Sequence, residues 1–290
     1  MSYDVSDISD ATELSEASGM TEIIAIGNQK GGVGKTTLTI NLGAALADHG
    51  ERVLLIDLDP QGHLTEGVGM QEIYLHAQQT LYNGLVGAKG AGTINDLIQR
   101  HPTENFAVIP ASYELMLAEQ SLYMARNREH KLKALLTQLT DEFDWVLIDC
   151  PPVLGNLTDN ALNAARQIII PIQAEATSVR ALELLFDQIE SVERGLNIHV
   201  RVLAVVPNLV LDSAMAKRIL ADLRQSIPAL TPFELRKRVM LQEAWSRGCS
   251  IFTYAAKSHA EERTKRELID VYRQLAEFVI DRTREGESHE

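Results

Sequence analysis

Three glycines and two lysines lie together in the segment NQKGGVGKTT, at residues 28–37. In a glycine-rich loop that leads from a strand into a helix, successive backbone N–H groups and the helix N-terminus can hold phosphate oxygens. Glycine at positions 31, 32 and 34 allows unusual dihedral angles and a close approach to a ligand, because no Cβ atom intervenes. The segment therefore predicts a site for the phosphates of a nucleotide.

The residues after the last glycine indicate which kind of nucleotide site this is. Lys35 stands where a lysine pairs with β- and γ-phosphates, and the hydroxyl of Thr36 would complete the coordination of Mg²⁺. A dinucleotide-binding GxGxxG motif that starts at Gly32 would require glycine at position 37, which is threonine. The predicted nucleotide contacts in this segment are Gly31, Gly32, Val33, Gly34, Lys35, Thr36 and Thr37.

Carboxylates stand at the ends of two hydrophobic runs. Asp149 ends one run, and Asp57 and Asp59 lie at the end of another. A carboxylate in this position can orient waters on Mg²⁺ for phosphoryl transfer, although it can equally be a solvated loop acid. We predict a metal site of Thr36, Asp57 and Asp149, in which Asp57 is the less direct partner of the metal.

Six short apolar runs alternate with helical patterns from residue 22 onward. Continuous hydrophobic runs are typical of parallel strands that are buried on both faces. We predict a single doubly wound, mostly parallel twisted sheet of the α/β class, with helices on both faces. The predicted strands are EIIAIG (22–27), RVLLID (52–57), FAVIP (106–110), WVLID (145–149), QIIIPI (167–172) and RVLAVVP (201–207).

Apolar periodicity and glycine positions predict helices between these strands. Residues 35–48 form one helix, ended by Gly50, and residues 178–194 form a second with one apolar stripe. A C-terminal helix at about 262–284 has a similar stripe opposite a face of mixed acids and bases, and we expect it to pack on the core. The glycine-rich stretch 84–92 is expected to be a flexible loop.

Composition excludes several classes of protein. The chain has 290 residues, 45% of them hydrophobic, which allows a substantial core. Its two cysteines are too few and too far apart for a disulfide scaffold or a CxxC metal site, and no apolar run reaches membrane-spanning length. We therefore expect a cytoplasmic protein. The net charge of −13 argues against a general attraction to nucleic acid but leaves room for a local basic patch.

Residues 1–20 differ in composition from the rest of the chain. They contain five acids and neither lysine nor arginine, so we predict a disordered acidic tail before a domain at 21–290.

Several segments of the sequence together resemble those of a known family. KGGVGKTT is similar to the deviant Walker A motif of the ParA/MinD group of P-loop ATPases, and NQKGGVGKTT resembles its ParA or Soj partitioning branch. The resemblance continues in order through the segments VLLIDLDPQG (53–62), LYNGL (81–85), VIPAS (108–112), VLIDCPPVLGNLT (146–158), IIPIQAE (169–175) and EAWSRGCSI (243–251).

The resemblance implies roles for individual residues. Lys30 would reach across a two-fold interface to the phosphates of a partner's ATP, while Lys35 binds them in its own chain. Asp59 would orient the attacking water, so that the implied catalytic set is Lys30, Lys35 and Asp59. Asn208 would contact adenine, although it can equally cap a loop. The implied cofactors are ATP and Mg²⁺, and the implied assembly is an ATP-dependent homodimer.

Partitioning members of the family bind DNA without sequence preference in the ATP state, through late basic residues, and a ParB-like centromere-binding protein stimulates them. This implies association with the nucleoid. Two arginine positions of the family hold Asp212 and Met240 in this chain. Other cations lie nearby, and the candidates for DNA contact are Lys217, Arg218, Arg236, Lys237, Arg238 and Arg247.

Two alternatives remain open. A MinD-like membrane switch would end in a lipid-binding amphipathic helix, but the mixed charges of this C-terminal helix favour core packing and no stable membrane association. A scaffold ATPase would position a protein cargo. DPQGHLT also departs from the family's DPQGNAT at His63 and Leu64, where we expect only a loop substitution, and Cys150 is expected to be a buried hydrophobe.

Overall fold

A computed structural model describes residues 21–139 and 143–287, and in it the strands form a single seven-stranded sheet. The predicted acidic tail at residues 1–20 lies outside the described residues. The strand order is β3-β4-β2-β5-β1-β6-β7, and all pairs are parallel except that of β3 with β4. The strands are β1 (Glu22–Ile26), β2 (Val53–Asp57), β3 (Gln99–Arg100), β4 (Phe106–Ile109), β5 (Trp145–Asp149), β6 (Gln167–Ile172) and β7 (Arg201–Pro207).

The six predicted strands and the doubly wound parallel sheet are confirmed. Strand β3 is an addition, because its two residues are polar and sit at the sheet edge, where no hydrophobic run is needed. The helices are α1 (Lys35–Asp48), α2 (His63–Gly67), α3 (Gln71–His76), α4 (Leu81–Val86), α5 (Ala118–Tyr123), α6 (Lys131–Leu136), α7 (Asn156–Ala165), α8 (Ala176–Leu196), α9 (Ala214–Ser226), α10 (Val239–Ser246) and α11 (His259–Glu287).

The prediction of a loop at residues 84–92 was wrong at its start. Residues 84–86 form the last part of α4, which the capping box of Thr80 and Asn83 begins. Glycines at 87, 90 and 92 have positive φ and turn the chain after the helix, so the rest of the stretch is a loop as predicted.

Two hydrophobic clusters cover the two faces of the sheet. Successive residues of a strand point to opposite faces, so Leu54 and Ile56 join one cluster while Val53 and Leu55 join the other. Helices α4 to α9 pack in the first cluster, and α1, α2, α10 and α11 pack in the second. This sandwich places the loops at the carboxyl ends of the strands on one side of the molecule.

The C-terminal helix α11 packs on the core, as predicted. Its apolar stripe includes Leu268, Tyr272, Leu275 and Val279, which are at most 5% exposed, and α11 lies against α1. Among the described residues, no helix has both the length and the apolar character needed to cross a membrane.

Pairing of the central strands brings the predicted site residues to one edge. Strand β5 lies between β1 and β2, and in its register Asp149 is the partner of both Asp57 and Ile26. The phosphate-binding segment follows β1 directly. Three separate segments of the sequence therefore meet at the carboxyl ends of adjacent parallel strands.

One buried hydroxyl in the core suggests a test of this packing. The hydroxyl of Tyr272 is fully buried and has no hydrogen-bond partner among the described residues, and burial raises the pKa of this phenol above its usual range. Removing an unsatisfied buried group avoids its desolvation cost. We expect Tyr272→Phe to raise the free energy of unfolding by about 1 kcal/mol in denaturant titrations.

Tyr254 provides a matched control for this substitution. It is equally buried, but its hydroxyl donates to Glu243 Oε2 at 2.6 Å. Tyr254→Phe is therefore expected to lower the free energy of unfolding by about 1–2 kcal/mol, since it removes a satisfied bond to a carboxylate. Equal losses in both variants would contradict the packing described for Tyr272.

Candidate nucleotide site

The loop between β1 and α1 has the conformation that phosphate binding needs. Gly32 and Gly34 have φ angles of 74° and 82°, in the left-handed region that favours glycine. Helix α1 begins at Lys35, and no side chain caps its N-terminus. The first N–H groups of α1 and the helix dipole are therefore available to an anion at this point.

Asn208 holds the loop in this shape from the end of β7. Its side chain is buried, and Nδ2 donates to the carbonyl oxygens of Val33 and Gly34 at 2.9 and 3.3 Å. A Cβ atom on Gly34 would lie only 2.6 Å from that nitrogen. The structure thus gives Asn208 a role as a support of the phosphate loop, which is distant in sequence, whereas its contact with adenine stays a prediction.

Lys35 carries a buried charge. Its residue is 7% exposed, and its ammonium forms no hydrogen bond or ion pair within the described part of the chain. Burial raises the pKa of the nearby Asp149 and the charge of Lys35 opposes this rise, but no carboxylate among the described residues contacts the ammonium directly. A buried cation without a hydrogen-bonded partner is costly, so an anion is the expected ligand. The position of Lys35, directly after the glycine loop, fits the terminal phosphates of a nucleotide.

Thr36 and Asp149 face each other across the start of α1. The Thr36 hydroxyl donates to Asp149 Oδ2 at 2.7 Å, and the Thr39 hydroxyl lies 3.5 Å from Oδ1. Burial, reinforced by the neighbouring charge of Asp57, raises the pKa of Asp149 to about 8. A cation at this position would favour the ionised carboxylate.

These oxygens fit Mg²⁺. Magnesium prefers hydroxyl and carboxylate oxygens, and in phosphate-binding sites it uses one or two carboxylates together with substrate oxygens and waters. The described residues contain no group of three or more His, Cys, Asp or Glu placed to hold a metal by themselves. Thr36 and Asp149 would therefore hold the ion jointly with the phosphates.

Asp57 is engaged with the protein on both of its oxygens. Oδ2 accepts from the backbone N–H and the hydroxyl of Thr65 at 2.8 and 2.6 Å, and Oδ1 accepts from the Asp59 N–H at 3.3 Å. Burial raises the pKa of Asp57 to about 7 despite these bonds. The geometry makes Asp57 a support for the turn and for α2, in line with its predicted indirect role, and direct coordination stays a prediction.

Asp59 lies in the turn that follows β2. It is 6% exposed, and its Oδ1 accepts from the Gln61 N–H at 3.0 Å, while its carbonyl accepts from Gly62. Its other oxygen, Oδ2, forms no hydrogen bond with a described residue. Asp59 therefore reaches the sheet edge that carries Asp149, and its action on water stays a prediction.

Lys30 lies outside the buried part of the site and is bound within its own chain. Its ammonium is 2.5 Å from Glu175 Oε2 and 3.2 Å from the hydroxyl of Thr177, at the start of α8. Sequence reasoning missed this partner, although Glu175 ends the quoted segment IIPIQAE. The two lysines of the motif are thus in different environments: Lys35 is buried and has no hydrogen-bond partner among the described residues, whereas Lys30 is half-buried and paired.

Acids neutralise several of the predicted DNA-binding cations. Asp212 pairs with Lys217 at 2.7 Å, Glu234 approaches Arg236 at 3.9 Å, and Glu243 approaches Arg247 at 3.7 Å. The three other candidates, Arg218, Lys237 and Arg238, form no ion pair with a described residue. The Lys237 N–H donates to the Val210 carbonyl, so residues 236–238 lie beside the segment that follows β7. Arg247 lies elsewhere, at the end of α10.

Met240, at the other departure from the family pattern, is 8% exposed and packs in the core with α10. It faces away from solvent, so an arginine there would not fit this packing. The predicted basic surface is consequently smaller than the sequence suggested.

Comparison with known proteins agrees with this geometry. A family model described as AAA domain matches residues 21–202. The sporulation initiation inhibitor protein Soj of Bacillus subtilis is 37% identical over 246 residues, which are 84% of this chain and 95% of that protein. The chromosome-partitioning ATPase Soj of Thermus thermophilus is 37% identical over 266 residues, covering 91% and 97% of the two chains.

A solved structure with bound nucleotide has the same fold. The crystal structure of cobyrinic acid a,c-diamide synthase from Mycobacterium smegmatis with bound ADP and magnesium is 31% identical, covers 92% of this chain and 97% of its own, and has a TM-score of 0.75.

The buried charge of Lys35 leads to a prediction about nucleotide binding. Lys35→Met keeps a long side chain at this position but removes the cation that would pair with the phosphates. The same variant should lose the rise in melting temperature that MgATP causes in the wild type, which thermal denaturation measures.

Lys133→Met is the control, since Lys133 is exposed on α6 and forms no ion pair with a described residue. It should leave the thermal response to MgATP unchanged. If Lys35→Met kept the full thermal response to MgATP, Lys35 would not hold the phosphates.

Proposed function

This chain belongs to the ParA/Soj family of partitioning ATPases, and from that membership we propose that it is a switch which dimerises on ATP, binds DNA non-specifically as a dimer and releases it on hydrolysis. It is an ATPase that uses ATP and Mg²⁺. One observation carries the proposal: Lys35 is buried and forms no hydrogen bond or ion pair with a described residue, while Lys30, five residues earlier, is held by Glu175.

Several residues at the sheet edge would take part in hydrolysis, each with its own role. Lys35 and the N-terminus of α1 would hold the β- and γ-phosphates, and Thr36 with Asp149 would hold Mg²⁺ beside them. Oδ2 of Asp59, which forms no hydrogen bond with a described residue, would accept a proton of the attacking water and align the water in line with the leaving group. Bound Mg²⁺ supplies positive charge against the charge that develops on the phosphates.

Lys30 would act in the other subunit. An ATP molecule between two copies of the chain would attract Lys30 away from Glu175, because the triphosphate offers more negative charge than one carboxylate. The exchange costs little at this site, since Glu175 is 56% exposed and is readily solvated when the pair separates. Dimerisation would then depend on ATP.

DNA binding would use cations that no acid neutralises. Arg218, Lys237 and Arg238 are the candidates that form no ion pair with a described residue, and phosphate contacts of this kind carry no sequence information. Because the whole chain has a net charge of −13, this local surface would act only at short range. A ParB-like protein is the expected partner that stimulates turnover.

The role of Lys30 can be tested by removing the side chain. We expect Lys30→Ala to bind MgATP with an affinity close to that of the wild type but to remain a monomer, because the charge between the subunits is no longer neutralised. Sedimentation velocity with a non-hydrolysable ATP analogue would measure the assembly state.

Glu175→Gln is the matched variant for this experiment. It keeps the shape of Glu175 but weakens its hold on Lys30, so the dimer should form at a lower analogue concentration than in the wild type. A Lys30→Ala protein that dimerised normally would refute the trans role.

Charge reversal tests the DNA surface. The double variant Arg218→Glu and Arg238→Glu should reduce ATP-dependent retention of DNA at least tenfold, while Lys131→Glu with Lys133→Glu on α6 makes the same charge change elsewhere and should have a much smaller effect. For the wild type, log affinity should fall linearly with log salt concentration. Equal losses in the two double variants would indicate a general charge effect and remove the proposed surface.

A further inference from the structure

A tryptophan near the C-terminal part of the chain contacts the turn of the catalytic site. The indole N–H of Trp245, on α10, donates to the backbone carbonyl of His63 at 3.0 Å. The ring fills the space beside Gly67, where a Cβ atom would lie 2.2 Å from ring atom Cδ1. His63 and Gly67 are the first and last residues of α2, so the indole contacts this short helix along its whole length.

Helix α2 is in turn tied to the catalytic carboxylates. It starts one residue after the turn Asp59–Gly62, which the bond from Gly62 N–H to the Asp59 carbonyl closes. Thr65, in the middle of α2, donates twice to Asp57 and accepts from the Ala111 N–H at 2.9 Å. A movement of this turn would therefore move α2, because a five-residue helix held by these bonds has little room to deform on its own.

Helix α10 ends in two of the candidate DNA-binding cations. Arg238 is its N-cap residue, and Arg247 is its C-cap residue. Between them, Met240, Leu241 and Ala244 are buried in the core, so the helix is anchored as one rigid element. Arg247 also lies over the ring of Tyr254, with its Cζ 4.6 Å from the ring centroid.

We propose that Trp245 is a positioning residue that couples the Asp59 turn, through α2, to helix α10 and the arginines at its two ends. If the turn shifts when ATP binds, α2 and the indole should move together. If the indole stayed in place, its hydrogen bond to His63 would break and a gap would open beside Gly67, which close-packed interfaces resist. The DNA-related part of this inference rests on the proposed function, whereas the coupling to the nucleotide does not.

Fluorescence reports this coupling directly, because the chain has two tryptophans. In Trp145→Phe, Trp245 is the sole emitter, and a non-hydrolysable ATP analogue with Mg²⁺ should shift its emission maximum or change its intensity. In Trp245→Phe, the remaining Trp145 is buried in the sheet at 5% exposure, and its emission should stay unchanged.

The Trp245→Phe variant also separates coupling from simple stability. It keeps an aromatic ring beside Gly67 but removes the donor to His63, so KM for ATP should remain within about twofold while kcat falls about tenfold, the effect of losing one hydrogen bond of about 1.4 kcal/mol. ATP-dependent retention of DNA should fall by a similar factor. Trp145→Phe is the control for the loss of an indole and should keep the wild-type kcat.

The outcomes distinguish the inference from the proposed function. An emission of Trp245 that does not respond to the analogue, or a Trp245→Phe protein with the wild-type kcat, would overturn the coupling. A large fall in melting temperature with parallel changes in kcat and KM would also overturn it, since it would indicate only structural support. A wild type that fails to retain DNA in any nucleotide state would refute the proposed DNA role, while the fluorescence and kcat results would still decide the coupling.

Discussion

Burial of charge at the carboxyl ends of three adjacent strands is the constraint on which the site depends. Lys35, Asp57 and Asp149 are each less than 10% exposed, and burial raises the pKa of both acids. Such groups are costly to bury unless they face opposite charges or hydrogen-bond donors. Phosphates would supply negative charge for Lys35 and Mg²⁺ positive charge for the carboxylates, which would explain why an otherwise apolar sheet ends in ionisable residues.

The rest of the fold keeps these charges in place. The hydrophobic clusters on both faces of the sheet make the strands a rigid platform, and Asn208 supports the phosphate loop from the end of β7. Thr65 joins Asp57 to the backbone of the β4 loop. Contacts of this kind preorganise the polar groups, so that the site does not need to reorganise when a nucleotide arrives. The short helix α2 differs from these local supports, because Trp245 links it by a hydrogen bond to α10, a distant part of the chain.

Several charged side chains at the surface have oppositely charged neighbours within the chain. Lys30 pairs with an exposed glutamate, and Lys217, Arg236 and Arg247 each have an acid nearby. Exposed pairs are weak, so they can separate when a stronger anion competes. This lets an acidic chain keep its cations in position without binding anions indiscriminately. Asp212 belongs to this group because it binds Lys217.

The sequence by itself determined the class of the fold, the six main strands and the phosphate loop, because hydrophobic runs and glycine spacing are local signals that hold in any context. It also identified the loop lysines and the strand-end aspartates by their positions beside those signals. Only the tertiary structure decided which groups meet: Glu175 with Lys30, Asn208 with the loop carbonyls, Trp245 with His63, and Met240 with the core. These partners lie far apart in the chain, up to 182 residues for Trp245 and His63. Their pairing follows from strand order and helix packing, which depend on the shape of the whole core, and no local pattern encodes that shape.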